Sequence, residues 1–531
     1  MRYTVRRAYD WLSPDDRCEQ SGSAAPLLLD AAGNASEAVQ LLFDAPGETE
    51  LAVSLSPLGP RGVDGKIFAL LPVRVDKNTG PEGYTAFPGD DLSHTVRSAP
   101  FLVYDALFPL PDGESLALSA GRGALYLRFD IPCGCPAGDY PFRLVVRAGG
   151  ETLAVEIAVR VYAVSVPQER SLQLSNWYSL PNIASRHRLE PWSESFWEMA
   201  ERYAELMART RQTHFLLPFC AAEWSRSGGE WRFSFARVER LAQLFLSHGF
   251  QTLEGGPAVR QRFLGDPHFV LLTDENIPAA SREGLSFLEG YFRAFYAFLQ
   301  AHGWEKCCVQ HVADEPFDSS IGEYALLAQR MRPLLPGVPF LDAVCTSKLS
   351  GGPDIPIPDA RRYEADRSVF SGLQQAGRPV WFYTCALPGG AYCNRLLDLP
   401  LLKTRLLHWG NARYGLSGYL HWGFNCYREG QNPYGDLSPR FAAVHEERYL
   451  PPGDTHLVYP GADRPLASVR LEQMRKGVED YELLRGLTRH DPRRAETIIR
   501  AVFRDFSDVC DSRRFSGVYQ ALLAACSGGR P

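Results

Sequence analysis

The chain has 531 residues, of which 45% are hydrophobic and 22% charged, a composition typical of a folded soluble protein. This length is too great for one ordinary hydrophobic core, so we expect two or three domains. The formal net charge of −6 argues against a nucleic-acid or anionic-membrane partner, because binding to a polyanion needs a basic face.

The N-terminus and the cysteines bear on location and cofactors. The segment 1–7 runs into three aspartates without an apolar stretch, so no signal peptide is expected and the predicted location is cytoplasmic. No apolar run approaches the length of a membrane span. The twelve cysteines are scattered, and their close pairs, Cys133–Cys135 and Cys307–Cys308, lack the second half of a zinc site. We therefore predict neither a metal nor another cofactor.

Residues 1–166 have the pattern of an all-β domain. Short apolar segments rich in β-branched residues alternate with turns that contain Gly, Pro and Asp. The clearest pair of strands flanks Gly149-Gly150, which is a hairpin signal. Many short strands without a helical period predict a β-sandwich. Pro167 marks its end.

Residues 167–450 alternate between strand-like and helical segments. Eight such units in about 280 residues match the size of a (β/α)8 TIM barrel, typically about 250 residues, and a doubly wound open sheet is the competing architecture. The eight strand-like segments are Leu172–Ser179, His214–Cys220, Thr252–Pro257, Cys307–Glu315, Pro339–Cys345, Asp354–Asp359, Val380–Cys385 and Gly418–Asn425.

Residues 451–531 are predicted to be a helical extension, in which an amphipathic helix from Ser468 to Leu487 packs on the barrel. The predicted fold is thus a multidomain α/β plus β protein. It combines a (β/α)8 barrel with an N-terminal β-sandwich and a C-terminal helical extension.

Two adjacent acids end the fourth predicted strand. Ligands bind where the strands of such a barrel end, and there the sequence places Asp314, Glu315 and the strand-ending Pro316. Neighbouring carboxylates in an apolar segment repel each other and lose hydration, so stability does not explain them. A functional explanation is that the two acids have different pKa values, so that one donates a proton and the other stabilises charge. The alternative, in which Asp314 caps the next helix, is weakened because Asp318 and Ser319 are better placed to do so.

Aromatic and amide side chains near other strand ends favour a sugar pocket, because Trp faces stack on pyranose rings while Asn and Tyr bond hydroxyl or amide groups. These residues are Asn176, Trp177, Trp381, Tyr383, Trp422 and Asn425. Glu254 and Asp342 also fall near strand ends, where a structural role and a ligand contact are both consistent with the sequence. The chain lacks a Gly-x-Ser-x-Gly elbow, a nucleotide-binding glycine loop and a His-Glu-x-x-His motif, which argues against serine hydrolases, nucleotide-dependent enzymes and zinc peptidases.

Four stretches resemble glycoside hydrolase family 123, the C-terminal one most specifically; they are Ala313–Pro316, Trp381–Cys385, Gly418–Asn425 and Arg470–Leu484. Known members of that family are β-N-acetylgalactosaminidases that act by substrate assistance. The resemblance implies a carbohydrate substrate, with Glu315 as general acid and base and Asp314 as the group that holds and polarises the acetamido nitrogen. The acetamido oxygen then attacks the anomeric carbon, and the configuration is retained.

The resemblance also suggests roles around the sugar: Trp381 and Tyr383 for the acetamido pocket, Trp422 and Asn425 for the ring, and Trp177 for a wall. His311 departs from the apolar or small residue expected just before the acidic pair. The missing secretion signal is a second departure, and a short imported oligosaccharide or glycoside suits a cytosolic enzyme.

Two other functions remain open at this point. In one, the chain is a glycosidase for a sugar without the acetamido group, and Glu254 or Asp342 serves as a distant second carboxylate beside Glu315. In the other, it is a carbohydrate-binding barrel that has lost catalysis. Retention of both carboxylates argues against the latter, because binding alone needs no proton donor.

Overall fold

The computed structural model describes residues 1–22, 26–228, 230–441 and 448–528. Its first part holds two five-stranded sheets, with strand orders β1-β3-β8-β5-β6 and β2-β10-β9-β4-β7, around a shared hydrophobic core. The strands are β1 (Arg2–Arg7), β2 (Leu27–Gly33), β3 (Ala35–Asp44), β4 (Glu50–Pro57), β5 (Asp64–Val75), β6 (Phe101–Pro109), β7 (Ser115–Ala117), β8 (Arg122–Ile131), β9 (Gly138–Ala148) and β10 (Glu151–Ser165).

The predicted hairpin is present between β9 and β10. Ala148 pairs with Glu151, so the turn consists of Gly149 and Gly150 alone. Both glycines have positive φ, 53° and 83°, as a tight two-residue hairpin turn requires. The sequence therefore specified both the turn and its register.

Residues 173–421 contain the next twelve strands, and each of the eight predicted segments includes one of them. The strands are β11 (Gln173–Asn176), β12 (His214–Leu217), β13 (Glu223–Ser227), β14 (Glu230–Ser234), β15 (Thr252–Gly255), β16 (Val259–Gln261), β17 (Phe269–Leu271), β18 (Cys308–Gln310), β19 (Leu341–Val344), β20 (Ile355–Pro358), β21 (Trp381–Tyr383) and β22 (Gly418–His421). The two pairs that the sequence did not predict, β13–β14 and β16–β17, are antiparallel hairpins within the connections.

The eight predicted strands pair in parallel, in the groups β11-β22-β21, β12-β15-β18 and β19-β20. Single parallel bridges join Gln310 to Phe340 and Asp359 to Tyr383. The amide of Thr213 also donates to the carbonyl of Leu174 at 3.2 Å. Parallel pairing brings the carboxyl ends of these strands to one edge, where the sequence placed the candidate residues.

Helices connect most of these strands, and three single turns of 3-10 helix accompany them at Phe219–Ala221, Glu305–Cys307 and Arg332–Leu334. Serine caps define several starts; Ser281, for example, accepts the amide of Gly284 at 3.1 Å. The helices are α1 (Leu180–His187), α2 (Glu194–Arg209), α3 (Ala236–Ser247), α4 (Arg282–His302), α5 (Ile321–Met331), α6 (Ala360–Ala365), α7 (Arg367–Gln375) and α8 (Leu402–Tyr414).

The C-terminal part consists mainly of three helices, preceded by two-residue strands. The strands are β23 (Arg440–Phe441), β24 (Arg448–Tyr449), β25 (Tyr459–Pro460) and β26 (Pro465–Leu466), and the helices are α9 (Val469–His490), α10 (Pro492–Val502) and α11 (Ser512–Cys526). None of the helices in the described ranges combines the length and the apolar character that crossing a bilayer requires.

Helix α9 differs from the amphipathic helix that the sequence predicted, because charged as well as apolar residues of α9 are buried. Its charges form ion pairs with the sandwich strands and with α8, which compensates their burial. These pairs are Arg470 with Asp105 (3.0 Å), Glu472 with Arg128 (3.3 Å), Lys476 with Glu37 (2.6 Å) and Asp480 with Arg405 (2.7 Å). The family-like stretch 470–484 therefore joins the parts of the chain.

Glu472 offers a test of this junction. Burial raises the pKa of its carboxyl, but Arg209 and Arg128 outweigh that effect and lower it to about 2. We expect Glu472→Gln to lower the free energy of unfolding at pH 7 by about 3–5 kcal/mol, because the buried guanidinium of Arg128 and the partly buried guanidinium of Arg209 lose a shared partner. Urea denaturation measures the difference.

The pH dependence follows from the lowered pKa. The contribution of Glu472 is present above its unfolded pKa of about 4.3 and is lost as the pH falls toward 2, so the difference between wild type and variant should narrow at pH 3. The matched control is Glu194→Gln, which removes an exposed partner of Arg240 and should leave the stability nearly unchanged. If the Glu472→Gln protein is as stable as this control, the ion pairs of Glu472 do not stabilise the contact between α9 and the sandwich.

Candidate active site

A cavity of about 850 Å³ opens at the carboxyl ends of the parallel strands. Its walls include residues in or just after six of the parallel strands, which is why residues far apart in sequence meet there. Among the lining residues are Trp177, Asp314, Glu315, Asp359, Tyr383 and Trp422. The acidic pair and three of the predicted aromatic residues thus share one cavity.

The backbone turns at Glu315 so that both acids face this cavity. Strand β18 ends at Gln310, and Glu315 has a φ of 51°, in the left-handed region. Neighbouring side chains of a regular strand point to opposite faces, and a left-handed residue breaks that alternation at a cost of about 1–3 kcal/mol. The side chain of Gln261 holds the turn, donating to the carbonyls of Asp314 (3.1 Å) and Glu315 (2.9 Å).

The two acids influence each other's ionisation. Burial raises the pKa of Asp314, and the charge of Glu315 raises it further. Burial also raises the pKa of Glu315, while the hydroxyl of Tyr383, which donates to Oε1 at 2.7 Å, lowers it. Two such carboxyls do not both ionise readily, so the pair retains one proton to higher pH than isolated acids would.

His311 lies beneath the pair in a buried network of charges. Its Nδ1 is 2.8 Å from Oδ1 of Asp342, and its Nε2 is 2.7 Å from Oε1 of Glu254. The indole N–H of Trp177 donates to the same Glu254 oxygen. Burial lowers the pKa of His311, but Asp342 and Glu254 raise it overall to about 10, and the imidazolium in turn lowers the pKa of Asp314. The residue that departed from the family pattern therefore supplies a fixed positive charge.

Four of the predicted binding residues lie behind the cavity wall. Glu254 belongs to the His311 network, and Trp381, 2% exposed, packs its ring 4.9 Å from that of His214. The other two make buried hydrogen bonds: Asn176 with Gln212 and Arg395, and Asn425 with the backbone of Ser179. Strand ends predicted their position along the chain, but not which way each side chain points.

The loop between β5 and β6 also reaches the cavity, although its strands belong to the sandwich. Glu82, Gly83 and Tyr84 line the wall, and the amide of Tyr84 donates to the carbonyl of Ala386 at 3.2 Å. Gly83 has a φ of 114°, and a Cβ there would lie 2.4 Å from that carbonyl oxygen, so only glycine fits. No signal in the sequence connected this loop with the strand ends.

Within the described part of the chain, no group of three or more His, Cys, Asp or Glu side chains has the geometry to hold a metal ion. What the cavity offers is a carboxyl pair, a hydroxyl donor and aromatic faces. This set is suited to proton transfer on a ligand with polar edges and an apolar face, as in a sugar.

Comparison with known families and structures agrees with this geometry. The model of the glycoside hydrolase 123 catalytic domain matches residues 177–487, more than half of the chain. The protein is a glycoside hydrolase. It belongs to family 123, which confirms the resemblance drawn from four short stretches and argues against a binding barrel without catalysis.

A solved structure of the same family shares the fold. A family 123 glycoside hydrolase from Clostridium perfringens superposes with a TM-score of 0.72 at 12% identity, over 99% of this chain and 97% of the other. An endo-β-1,4-mannanase from Thermotoga petrophila (TM-score 0.35, 10% identity, 59% and 78% covered) and a xylanase from Thermobacillus composti (0.31, 11%, 58% and 97%) are more distant. Comparison with curated proteins gave no match.

The His311 network predicts a specific dependence of stability on pH. A folded-state pKa of about 10 lies above the unfolded value of about 6.5, so the stabilisation is complete below pH 6.5 and is lost as the pH rises toward 10. His311→Gln should therefore lower the free energy of unfolding at pH 6 by about 3–5 kcal/mol, and the difference from wild type should shrink by pH 9. Chemical denaturation at several pH values measures it.

His214→Gln is the matched control. Burial lowers the pKa of His214 to about 4, so this histidine is neutral in the folded protein above pH 6.5. The stability difference for His214→Gln should stay constant between pH 6.5 and 9. Parallel behaviour of the two variants in that range would rule out a charged His311.

Proposed function

We propose that the protein is a retaining exo-glycosidase that hydrolyses terminal β-linked N-acetylgalactosamine, or a related 2-acetamido sugar, through an oxazoline intermediate. The observation that carries the proposal is the convergence of Asp314 and Glu315 on one cavity, produced by the left-handed backbone at Glu315. One carboxyl transfers a proton and the other binds the acetamido N–H, so the substrate itself supplies the nucleophile.

In the first step, Asp314 accepts the N–H of the acetamido group, and His311 behind it favours the ionised form of Asp314. In the free site, burial and the charge of Glu315 outweigh His311 and raise the pKa of Asp314 to about 8, so the proton of the pair is on Asp314. The acetamido N–H is a hydrogen-bond donor and favours the ionised form of Asp314, so substrate binding shifts the proton to Glu315. Glu315 protonates the departing glycosidic oxygen as the acetamido oxygen bonds to the anomeric carbon, and the C–O bond to the leaving group breaks.

In the second step, Glu315 takes a proton from water, and the water oxygen attacks the anomeric carbon of the oxazolinium ion. The bond between this carbon and the acetamido oxygen breaks, and the acetamido group is restored. Two inversions at the same carbon retain the configuration. Throughout, Tyr383 holds Oε1 of Glu315 by its hydrogen bond of 2.7 Å.

The alternative function, on a sugar without the acetamido group, needs a second carboxylate at the cavity. Glu254 and Asp342 are completely buried and bonded to His311 beneath it. Asp359 and Asp454 do line the cavity. Oδ1 of Asp359 caps helix α6 by accepting the amides of Arg361 (2.9 Å) and Arg362 (3.1 Å), which leaves Asp454 as the carboxylate that this alternative would use. A panel of aryl glycosides with and without the acetamido group separates the two functions.

The substrate class and the cellular location are also part of the proposal. The analysis of the Clostridium perfringens relative concerns glycolipid glycan hydrolysis, and a glycan carried on a lipid is one substrate class to test here. A short oligosaccharide is the other, and it suits the cytoplasmic location predicted from the sequence.

We further propose that the eight parallel strands form one closed (β/α)8 barrel, between a sandwich over residues 1–166 and a helical extension over residues 451–531. The groups β11-β22-β21, β12-β15-β18 and β19-β20 support closure, because the Gln310–Phe340 and Asp359–Tyr383 bridges and the Thr213–Leu174 hydrogen bond connect them end to end. Residues 167–450 would then be the catalytic domain.

Removal of the proton donor should depend on the leaving group. Glu315→Gln is expected to lower kcat/KM on an alkyl β-N-acetylgalactosaminide by about 10²–10⁴-fold, since a poor leaving group must be protonated. The loss should be smaller on the nitrophenyl glycoside. Equal losses on both substrates would contradict a role for Glu315 as the acid.

Removal of the acetamido partner tests substrate assistance directly. Asp314→Asn should lower kcat on the nitrophenyl 2-acetamido glycoside by about 10²–10³-fold and weaken inhibition by a thiazoline that mimics the oxazoline, because Asp314 stabilises charge on that ring. Asp480→Asn, far from the cavity, is the control. If the thiazoline does not inhibit wild type, and wild type cleaves another glycoside, then the enzyme does not act by substrate assistance.

The hydrogen bond from Tyr383 to Glu315 should determine the position of the alkaline limb in the pH profile of kcat/KM. This bond favours the ionised form of Glu315 and lowers its pKa, so in Tyr383→Phe the pKa rises and Glu315 keeps its proton to higher pH. We expect the alkaline limb of kcat/KM to move up by about one pH unit. Tyr419→Phe, which removes a hydroxyl bonded to Thr384 instead, should leave that limb in place.

A further inference from the structure

Asp454 is an unusual carboxylate of the cavity. It is completely buried within the protein, and it lines the same cavity as Asp314 and Glu315. Among the described residues, neither Oδ1 nor Oδ2 has a hydrogen-bond partner. Nε2 of His421 is 3.2 Å from Oδ1, and the side chain of Trp422 also approaches the carboxyl as a donor, but neither contact has the geometry of a regular hydrogen bond. The carboxyl group therefore has only weak contacts with the fold to compensate its burial.

A second buried carboxylate, that of Asp480, has a structural role, and its oxygens are hydrogen-bonded. Asp480 accepts Nε and Nη2 of Arg405, at 2.7 and 2.8 Å, and the indole N–H of Trp409, at 2.9 Å. A buried acceptor without a partner destabilises a protein, and such groups in native structures call for an explanation. At a cavity wall, a ligand that donates hydrogen bonds explains it.

The surroundings of Asp454 indicate the chemistry of that ligand. Burial raises the pKa of the carboxyl to about 7, while Arg395 and the Trp422 side chain lower it, as do Arg428 and Arg470. The guanidinium of Arg428 lies over the Trp422 ring, 5.3 Å from its centre. These cations compensate the carboxylate charge in part but do not bond to it, so a neutral donor such as a sugar hydroxyl completes the site without adding charge.

The strand order places Asp454 across the cavity from the acidic pair. The backbone at Asp454 packs against Gly423, just beyond strand β22, and a Cβ on Gly423 would lie 2.3 Å from the Asp454 carbonyl oxygen. In the order of the parallel strands, β22 and β18 are four positions apart in both directions, hence on opposite sides. A sugar whose C1 and C2 lie at Glu315 and Asp314 directs C4 toward Asp454.

We propose that Asp454 accepts hydrogen bonds from hydroxyls of the terminal sugar, the C4 hydroxyl among them, and so determines the preference between galacto and gluco substrates. This inference rests on the proposed function, which assigns the oxygen on C1 to Glu315 and the substituent on C2 to Asp314. The remaining hydroxyl donors of the ring are those on C3, C4 and C6. C4 is the centre at which the galacto and gluco isomers differ.

The experiment combines deoxy substrates with variants of Asp454. Wild type is assayed on the nitrophenyl 2-acetamido galactoside and on its 3-, 4- and 6-deoxy analogues. The 4-deoxy analogue should lose about 10–100-fold in kcat/KM, as expected for a lost hydrogen bond to a charged group. Asp454→Ala should lower kcat/KM on the parent glycoside by the same factor. On the 4-deoxy analogue, kcat/KM of Asp454→Ala should stay within about threefold of the wild-type value, because the hydrogen bond is already absent there and the two losses do not add.

Stability separates a ligand-binding role from a structural one. Because only the weak contacts with His421 and Trp422 change, and burial of the charge is relieved, Asp454→Asn should melt at the same temperature as wild type or higher. Asp480→Asn, the matched control, should melt lower and keep the ratio of parent to 4-deoxy activity. A fall in melting temperature for Asp454→Asn comparable to that of Asp480→Asn would indicate a structural role and overturn the proposal.

Two kinetic outcomes would also overturn it. One is wild-type activity within about threefold on all three deoxy analogues, and the other is an equal loss on all four substrates in Asp454→Ala. Failure of the proposed function looks different, since wild type would then not cleave the 2-acetamido glycoside at all. The deoxy series built on the glycoside that it does cleave would still test Asp454.

Discussion

Two carboxyl groups on adjacent residues of a half-buried cavity cannot both be ionised without a large electrostatic cost, and the site depends on this constraint. Desolvation and mutual repulsion keep one proton on Asp314 and Glu315. The left-handed backbone at Glu315 makes the repulsion possible, because it turns both side chains to one side. The charged His311 beneath the pair and the hydroxyl of Tyr383 then bias where the proton lies.

The remainder of the chain holds that arrangement in place. Charged residues of helix α9 join the sandwich to helix α8 through buried ion pairs. The sandwich in turn sends Glu82, Gly83 and Tyr84 to the cavity wall. The walls of the cavity are therefore shared between parts of the chain that the sequence presented as separate domains.

The hydrophobic periodicity of the sequence predicted the eight parallel strands, and its glycines predicted the Gly149-Gly150 turn. The rule that ligands bind at the ends of the strands singled out the acidic pair. Such predictions failed where the outcome depends on which way a side chain points. Trp381 and Asn425 stand at strand ends but face inward, and Asp318 bonds Thr346 and Lys348 instead of capping the helix after Pro316. The cavity loop and Asp454 were missed because long-range packing brings them to the site.

The most direct test of the shared proton is a titration of the two carboxyls by ¹³C NMR, with Glu315→Gln and Asp314→Asn used to assign the signals. Wild type should take up one proton near neutral pH through signals that move together, and each variant should lose this step. Two independent titrations below about pH 5, at the values of ordinary acids, would contradict it.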